Sequence, residues 1–257
     1  MDLHINIPEH RYGSLVVLND IKFDVVSGEI VCVVGPSGCG KSTLLGIIGG
    51  LVEPASGEVR FSGQSHPDCL NPLTFVFQDF ALLPWLSVKD NIAFVLKHHN
   101  LPRGVREARI RDVLARTGLS AFADAFPKQL SGGMRQRVGI ARALVVKPAI
   151  LLMDEPFSAL DAQTREILMD DFLNLWLKER ITAVHITHNL NEAIRLADRI
   201  VVMSRRPGRI KKIFTMAVPK HERDSPDRTV ELLKVHDEIW SLIKDEAVHA
   251  NEEMAYG

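Results

Sequence analysis

Apolar residues along this chain follow two rhythms. Residues 3–7 alternate apolar and polar, and residues 15–26 continue with Val16, Val17, Leu18, Ile21, Phe23 and Val25. Alternation with period two marks strands buried on one face. These segments therefore predict an antiparallel β layer, with Tyr12 on the loop between them. Residues 30–34 and 149–153 are unbroken apolar runs, as expected of strands covered on both faces. Shorter runs at 58–61, 73–77, 182–187, 199–203 and 209–215 predict further strands, the last two joined around Pro207 and Gly208. Helical spacing appears at 41–48 and at 162–178, where Leu168, Phe172 and Leu175 recur on one face.

Between residues 81 and 147 the strand-like runs stop. Segments 88–96, 105–117 and 133–146 carry helical spacing, interrupted at Pro102, Gly118 and Pro127. The pattern predicts a helical subdomain (81–147) inserted into an α/β core (1–80 and 148–215) that starts with the β layer. A tail (216–257) follows, with a helical stripe of Leu232, Val235, Ile239 and Leu242 that packs on the core or against another chain. At the start of the helical region, residues 82–86 form an apolar patch around Trp85, read either as core or as a surface for a partner.

Composition narrows the class. The 257 residues are 46% hydrophobic, enough for a large core, and carry a net charge of −1. That balance gives no basic surface for nucleic acid. Cys32, Cys39 and Cys69 make no disulfide framework, which suits a reducing cytosol. No stretch approaches the roughly 18 consecutive apolar residues of a membrane span, and the first residues lack the basic and apolar regions of a signal peptide. The expectation is a soluble protein whose membrane role, if any, comes through a partner.

The candidate chemistry begins right after the first apolar run. Gly35, Pro36, Ser37, Gly38, Cys39, Gly40, Lys41, Ser42 and Thr43 fit the phosphate-loop pattern G-x-x-x-x-G-K-[ST], with a predicted strand before and a helix after. Glycines let such a loop wrap a phosphate with its N–H groups inward, and the helix start adds a partial positive charge. Lys41 would reach the β- and γ-phosphates, and Ser42 would ligate Mg²⁺. The fold class is therefore α/β: a P-loop NTPase core with an N-terminal antiparallel β layer and an inserted α-helical subdomain.

Other polar residues stand at predicted strand ends, where open α/β sheets meet ligands. Gln78 follows 73–77, Asp154 and Glu155 follow 149–153, and His188 follows 182–187. Asp154 suits Mg²⁺, and Glu155 could take a proton from attacking water. Ser131, Gly132 and Gly133 open a predicted helix, as either a second anion site or a plain serine cap. Tyr12 is a loop aromatic that could stack on a purine. Cys39 in the phosphate loop predicts that thiol alkylation blocks ATP binding.

Taken together, the phosphate loop, Gln78, the 130–133 Leu-Ser-Gly-Gly run, the acidic strand end at 150–155, residues 158–161 and His188 resemble the ATP-binding subunits of ABC transporters over about residues 1–215. The resemblance implies roles. Tyr12 would stack on adenine, Lys41, Ser42 and Thr43 would contact phosphate and Mg²⁺, and Gln78 would link Mg²⁺ and the attacking water to a membrane partner. Asp154 would support Mg²⁺, Glu155 would be the general base, and His188 would sense the γ-phosphate. It also implies ATP and Mg²⁺ as cofactors and a head-to-tail pair with a second ATP-binding subunit, most simply a homodimer. There Ser131, Gly132 and Gly133 of one chain close on ATP held by the other, with Asp161 at the same interface. Met134 departs from the commonest form of the motif, which has glutamine.

Residues 76–79, 82–85 and 131–137 look most like subunits of nitrate, sulfonate and taurine importers, although 218–224 match loosely. That group implies transmembrane permease subunits, an extracytoplasmic solute-binding protein and a place on the cytoplasmic face of the membrane. The alternatives are an exporter or lipid-trafficking ATPase, or an ABC-type ATPase uncoupled from transport. Solute choice would lie in the permease and binding protein.

Overall fold

The structure, a computed structural model, describes the backbone of residues 1–256 and the side-chain surroundings of residues 1–244. In chain order the elements are β1 (Asp2–Tyr12), β2 (Leu15–Val25), β3 (Ile30–Val34), α1 (Lys41–Ile48), β4 (Glu58–Ser62), β5 (Leu73–Val76), α2 (Val88–Val95), α3 (Arg103–Arg116), α4 (Gly132–Leu144), β6 (Ile150–Asp154), α5 (Ala162–Glu179), β7 (Thr182–Ile186), α6 (Leu190–Leu196), β8 (Arg199–Met203), β9 (Ile210–Thr215) and α7 (Thr229–Tyr256). Short 3₁₀ turns join some of them.

The chain forms two compact units: Met1–Gly63 with residues from Thr182 onward, and Gln64–Ile181. In the first unit, β1 lies between β2 and β4 in an antiparallel sheet. Leu3, Ile5 and Ile7 are buried while His4, Asn6 and Pro8 alternate outward, which is the period-two pattern of a one-faced sheet. A second sheet of this unit runs β7-β3-β8-β9. There β3 pairs in parallel with both β7 and β8, and every residue from Ile30 to Val34 is fully buried. A five-residue strand of this kind keeps no solvent face, which explains its unbroken apolar sequence.

In the second unit, β5 pairs in parallel with β6. The predicted helical stretch 81–147 lies wholly within this unit, together with β5, β6 and α5. Its start is held by one side chain. Asn91 is completely buried; its Oδ1 accepts the Leu83 N–H (2.9 Å), and its Nδ2 faces the carbonyls of Leu83, Leu86 and Ser87 at 3.0–3.1 Å. Ser87 caps α2 through the Asp90 N–H. Leu82 and Leu83 are half-buried, and Trp85 is 70% exposed. The patch is therefore a braced surface loop with its aromatic outward.

Two expectations are corrected, and of the two places expected for the tail the structure shows the first. β1 runs through Tyr12, which pairs with Leu15; only Gly13 and Ser14 turn the chain, so Tyr12 ends a strand rather than lying on a loop. The left-handed φ of Gly13 (59°) makes so tight a turn possible. α3 starts at Arg103, two residues before the expected start, because Pro102 sets the entry. The tail helix α7 packs on α6 and β8 of its own chain through Ile239 and Ile243, while Val230, Leu233 and Trp240 stay exposed.

Replacing Asn91 by alanine leaves several buried backbone groups of residues 83–87 without partners, at about 1–3 kcal/mol for such a loss. Asn91→Ala is expected to lower unfolding free energy by about 2–4 kcal/mol, read from a urea midpoint at unchanged slope. A loss below about 0.5 kcal/mol would mean that Asn91 does not brace the loop.

Candidate phosphate site and strand-end residues

The first unit builds a phosphate cradle. Parallel register places Val33 beside Ile186 and Val34 beside Val202, so β3, β7 and β8 end together. The loop 35–40 leaves from that edge into α1. Helices α2, α4, α5 and α6 each open under a side-chain cap. α1 begins at Gly40 (φ 101°) with no side-chain cap. No cap side chain therefore stands between an anion and the positive end of the helix dipole. Gly38 has φ 75°, and a Cβ there would meet no atom within 4 Å. Its absence of side chain meets the backbone angle and leaves the cradle open. These features fit a nucleotide phosphate. Lys41 is buried, with Nζ donating to the carbonyls of Gly35 and Pro36 at 2.9 Å each. Ser42 is exposed on the first turn and Thr43 is half-buried.

A turn between β8 and β9 supports this loop from behind. A Cβ on Gly208 would lie 2.2 Å from the Cys39 carbonyl oxygen and 2.8 Å from Met203 Cε. Gly208 also donates its N–H to Val17 (2.8 Å) and accepts from the Asn19 N–H (2.9 Å). One residue thus ties β2 to the back of the phosphate loop, and only glycine fits. Sequence reasoning saw a Pro-Gly turn here; its long-range packing had no local signal.

His188 stands just past β7 at the same edge. Its approach is fixed by the Thr187 N–H to Val33 O bond (3.2 Å) and by Thr187 Oγ1 donating to Glu192 (2.6 Å). Asn189 donates back to Thr187 Oγ1 at 3.0 Å. Glu192 is 2% exposed, with His185 Nε2 at 3.6 Å. It is a positioning residue that the sequence reading missed, since a single glutamate in a helical segment reads as solvated surface. Tyr12, 53% exposed, meets His10 edge-on with ring centroids 4.9 Å apart.

The second unit carries the other residues. Val76 pairs with Met153, so Gln78 and Glu155 lie two residues beyond matching positions on adjacent parallel strands. Gln78 is exposed; Asp154 and Glu155 are half-buried. Glu155 has φ 46°, an uncommon region for a residue with a Cβ. Ser158 holds that geometry, with its N–H and hydroxyl both donating to the Glu155 carbonyl (3.2 and 2.8 Å). Ser131 Oγ accepts the Met134 N–H at 3.2 Å, so it caps α4. Gly133 is required by contact: a Cβ there would lie 2.7 Å from Thr164 Cγ2. Asp161 caps α5 through the Thr164 N–H (3.0 Å), and that bond holds its carboxyl below the usual range.

The expected reactivity of Cys39 is corrected. Cys39 is fully buried, and burial pushes its thiol pKa up despite the neighbouring Lys41. The neutral thiol is the poor nucleophile, and a reagent has no path to it.

The family described as ABC transporter matches residues 18–158. The nitrate import ATP-binding protein NrtD of Synechocystis is 40% identical over 95% of this chain and 94% of its own length. The aliphatic sulfonates import ATP-binding protein SsuB of Bacillus cereus is 43% identical over 80% of this chain and 81% of its own length. A putative ATP-binding protein of Brucella abortus is 40% identical over 96% of this chain and 95% of its own. Among solved structures, a dimeric ATP-binding cassette bound to ADP and Pi superposes with a TM-score of 0.69 at 32% identity, covering 85% of this chain and all of that one.

Two outcomes test the cradle. Gly208→Ala is expected to keep the far-ultraviolet spectrum and weaken ATP binding at least about tenfold, a cost of about 1.4 kcal/mol; wild-type affinity would remove Gly208 from this role. A maleimide is expected to label Cys69 first in the native protein and all three cysteines only after denaturation; equal native rates would contradict the burial of Cys39.

Proposed function

The chain belongs to the ABC transporter ATP-binding proteins, and from that membership we propose that it hydrolyses ATP to power import of a small anion, such as nitrate, a sulfonate or taurine, through a membrane permease. Its ATPase class follows from the family. The observation that supports the solute class is the match to NrtD and SsuB at 40–43% identity across most of the chain. Among the described residues no helix is long and apolar enough to cross a membrane, so the permease is a separate polypeptide in this reading. An extracytoplasmic solute-binding protein delivers the solute to it, and this subunit works at the cytoplasmic face.

The residues divide the work. Tyr12 offers a ring face to the adenine. The loop 35–43 holds the phosphates through its N–H groups, and Lys41 exchanges the Gly35 and Pro36 carbonyls for phosphate oxygens. Glu155, in its strained and serine-braced conformation, accepts the proton of the attacking water. His188 donates to the γ-phosphate, and Gln78 orients the water. Mg²⁺ would offset phosphate charge; Ser42, Gln78 and Asp154 each carry an oxygen donor of the kind that suits this hard cation. Two copies pair head to tail, so that Ser131, Gly132 and Gly133 of each face the ATP of the other, with Asp161 nearby.

Glu155→Gln is expected to bind ATP as the wild type does, to lose about 10²–10⁴-fold in turnover, and to elute as a stable dimer with ATP on gel filtration. Unchanged turnover would take Glu155 out of the base role. In the source cell, Lys41→Ala is expected to abolish uptake of labelled nitrate, taurine or an alkanesulfonate. Normal uptake of all three would discard anion import and leave the ATPase chemistry standing.

A further inference from the structure

The second unit contains a cavity of about 380 Å³ between the end of α3 and the facing sides of α4 and α5. No residue of the phosphate chemistry lines it. Its volume falls in the range of small-molecule sites, roughly 300–1,000 Å³. The floor is apolar: Ile140, Leu168 and Phe172 are each at most 5% exposed, and Leu175 stands at the wall. The rim is charged. Arg137 pairs with Asp171 at 2.5 Å, and Arg116 pairs with Glu179 at 2.9 Å. Lys178 also lines the rim, and among the described residues no ion pair engages it.

These features select a ligand chemistry. Arg137 takes Asp171, and Arg116 is shared by Glu179 and Asp112 (3.1 Å), so Lys178 is the rim cation that no ion pair engages among the described residues and the point where one acidic group finds a partner. The Thr117 hydroxyl donates to the Val113 carbonyl (2.7 Å), which leaves the Asn174 amide as the neutral polar side chain of the lining not engaged there, and the apolar floor has nothing for the hydroxyls of a sugar. A nucleotide would need more than one unmatched cation for its phosphates. An apolar body on the floor with one acidic group at Lys178 fits.

The cavity also abuts the start of α4. Leu168 on its floor packs on Gly133, where a Cβ would lie 3.2 Å from Leu168 Cδ1. Arg137 on its rim is one turn further along the same helix. A ligand that moves either side chain acts on the helix start that carries Ser131, Gly132 and Gly133.

We propose that this cavity is a regulatory site for an amphipathic organic monoanion, an aryl or alkyl body bearing one sulfonate or carboxylate, whose occupancy changes ATP hydrolysis through α4. The regulatory half rests on the role given above to Ser131, Gly132 and Gly133; the binding half does not. The test uses the full chain without nucleotide and 8-anilinonaphthalene-1-sulfonate as the fluorescent probe. Saturable one-to-one binding is expected, displaced by octanesulfonate and octanoate and not by octyltrimethylammonium, which has the same body with the opposite charge. Lys178→Glu should weaken it at least tenfold, and Leu175→Trp, which fills the cavity, should abolish it. No saturable binding, equal displacement by the cation, or full affinity in both variants overturns the site. With ATP added, octanesulfonate should change wild-type turnover at least twofold and leave Leu175→Trp unaffected. Binding without that change overturns the regulation. A chain that turns over no ATP even without the probe counts against the hydrolysis reading instead, while the nucleotide-free titration still decides the site.

Discussion

The parallel pairing of β3 with both β7 and β8 is the constraint on which the first unit depends. It sets three strand ends level, so the phosphate loop, the approach to His188 and the Gly208 turn share one edge. A strand with neighbours on both sides exposes no backbone edge and no side-chain face, which is why its position is rigid. The loop can then be made of glycines without losing definition. Its shape is imposed from outside, by Leu18 beside Gly40 and by the close seat of Gly208 on the Cys39 carbonyl.

The entry to β3 is fixed as firmly as its exit. Asp198 accepts the Ile30 N–H through Oδ2 (2.8 Å) and donates its own N–H to the Ile30 carbonyl (2.8 Å), while its other oxygen pairs with Lys220. Burial pulls the Lys220 ammonium below its usual pKa, and the Asp198 bond pulls back the other way. Three residues on, the buried Arg223 donates to the carbonyls of Ile194, Arg195, Ala197 and Val218, closing the end of α6. Lys220 and Arg223 are thus spent inside the protein.

Much of this was legible in the sequence because burial on both faces and burial on one face write different patterns. The runs at 30–34 and 149–153 became β3 and the core of β6, and the alternating segments became β1 and β2. The phosphate loop was legible because its glycines and lysine serve local geometry. What escaped depends on contacts distant in sequence. Gly208 answers to Cys39, Asn91 answers to carbonyls in the preceding loop, and Glu192 answers to Thr187 and His185. Tyr12 ends a strand rather than lying on a loop because Gly13 lets two residues turn the chain. Cys39 is not open to alkylation because the chain buries that one side chain while leaving Ser37 and Gly38 outside.

The two helix starts for which anion roles are proposed differ in one respect that bears on how they would act. At α1 the N-cap residue is a glycine with no side chain to cap the helix, so a phosphate meets aligned first-turn donors without displacing a cap. At α4 the Ser131 hydroxyl is committed to the Met134 N–H. A phosphate there must displace or share that cap, which is typically worth about 1 kcal/mol. The first start is therefore suited to hold nucleotide by itself, and the second to engage only when another interaction brings a phosphate to it. A weak second contact is what a reversible closure requires: a tight one would hold the closed state after hydrolysis, whereas a capped helix recovers its own bond as the phosphate leaves. Gly133, seated against Thr164 and Leu168, fixes where that helix start lies.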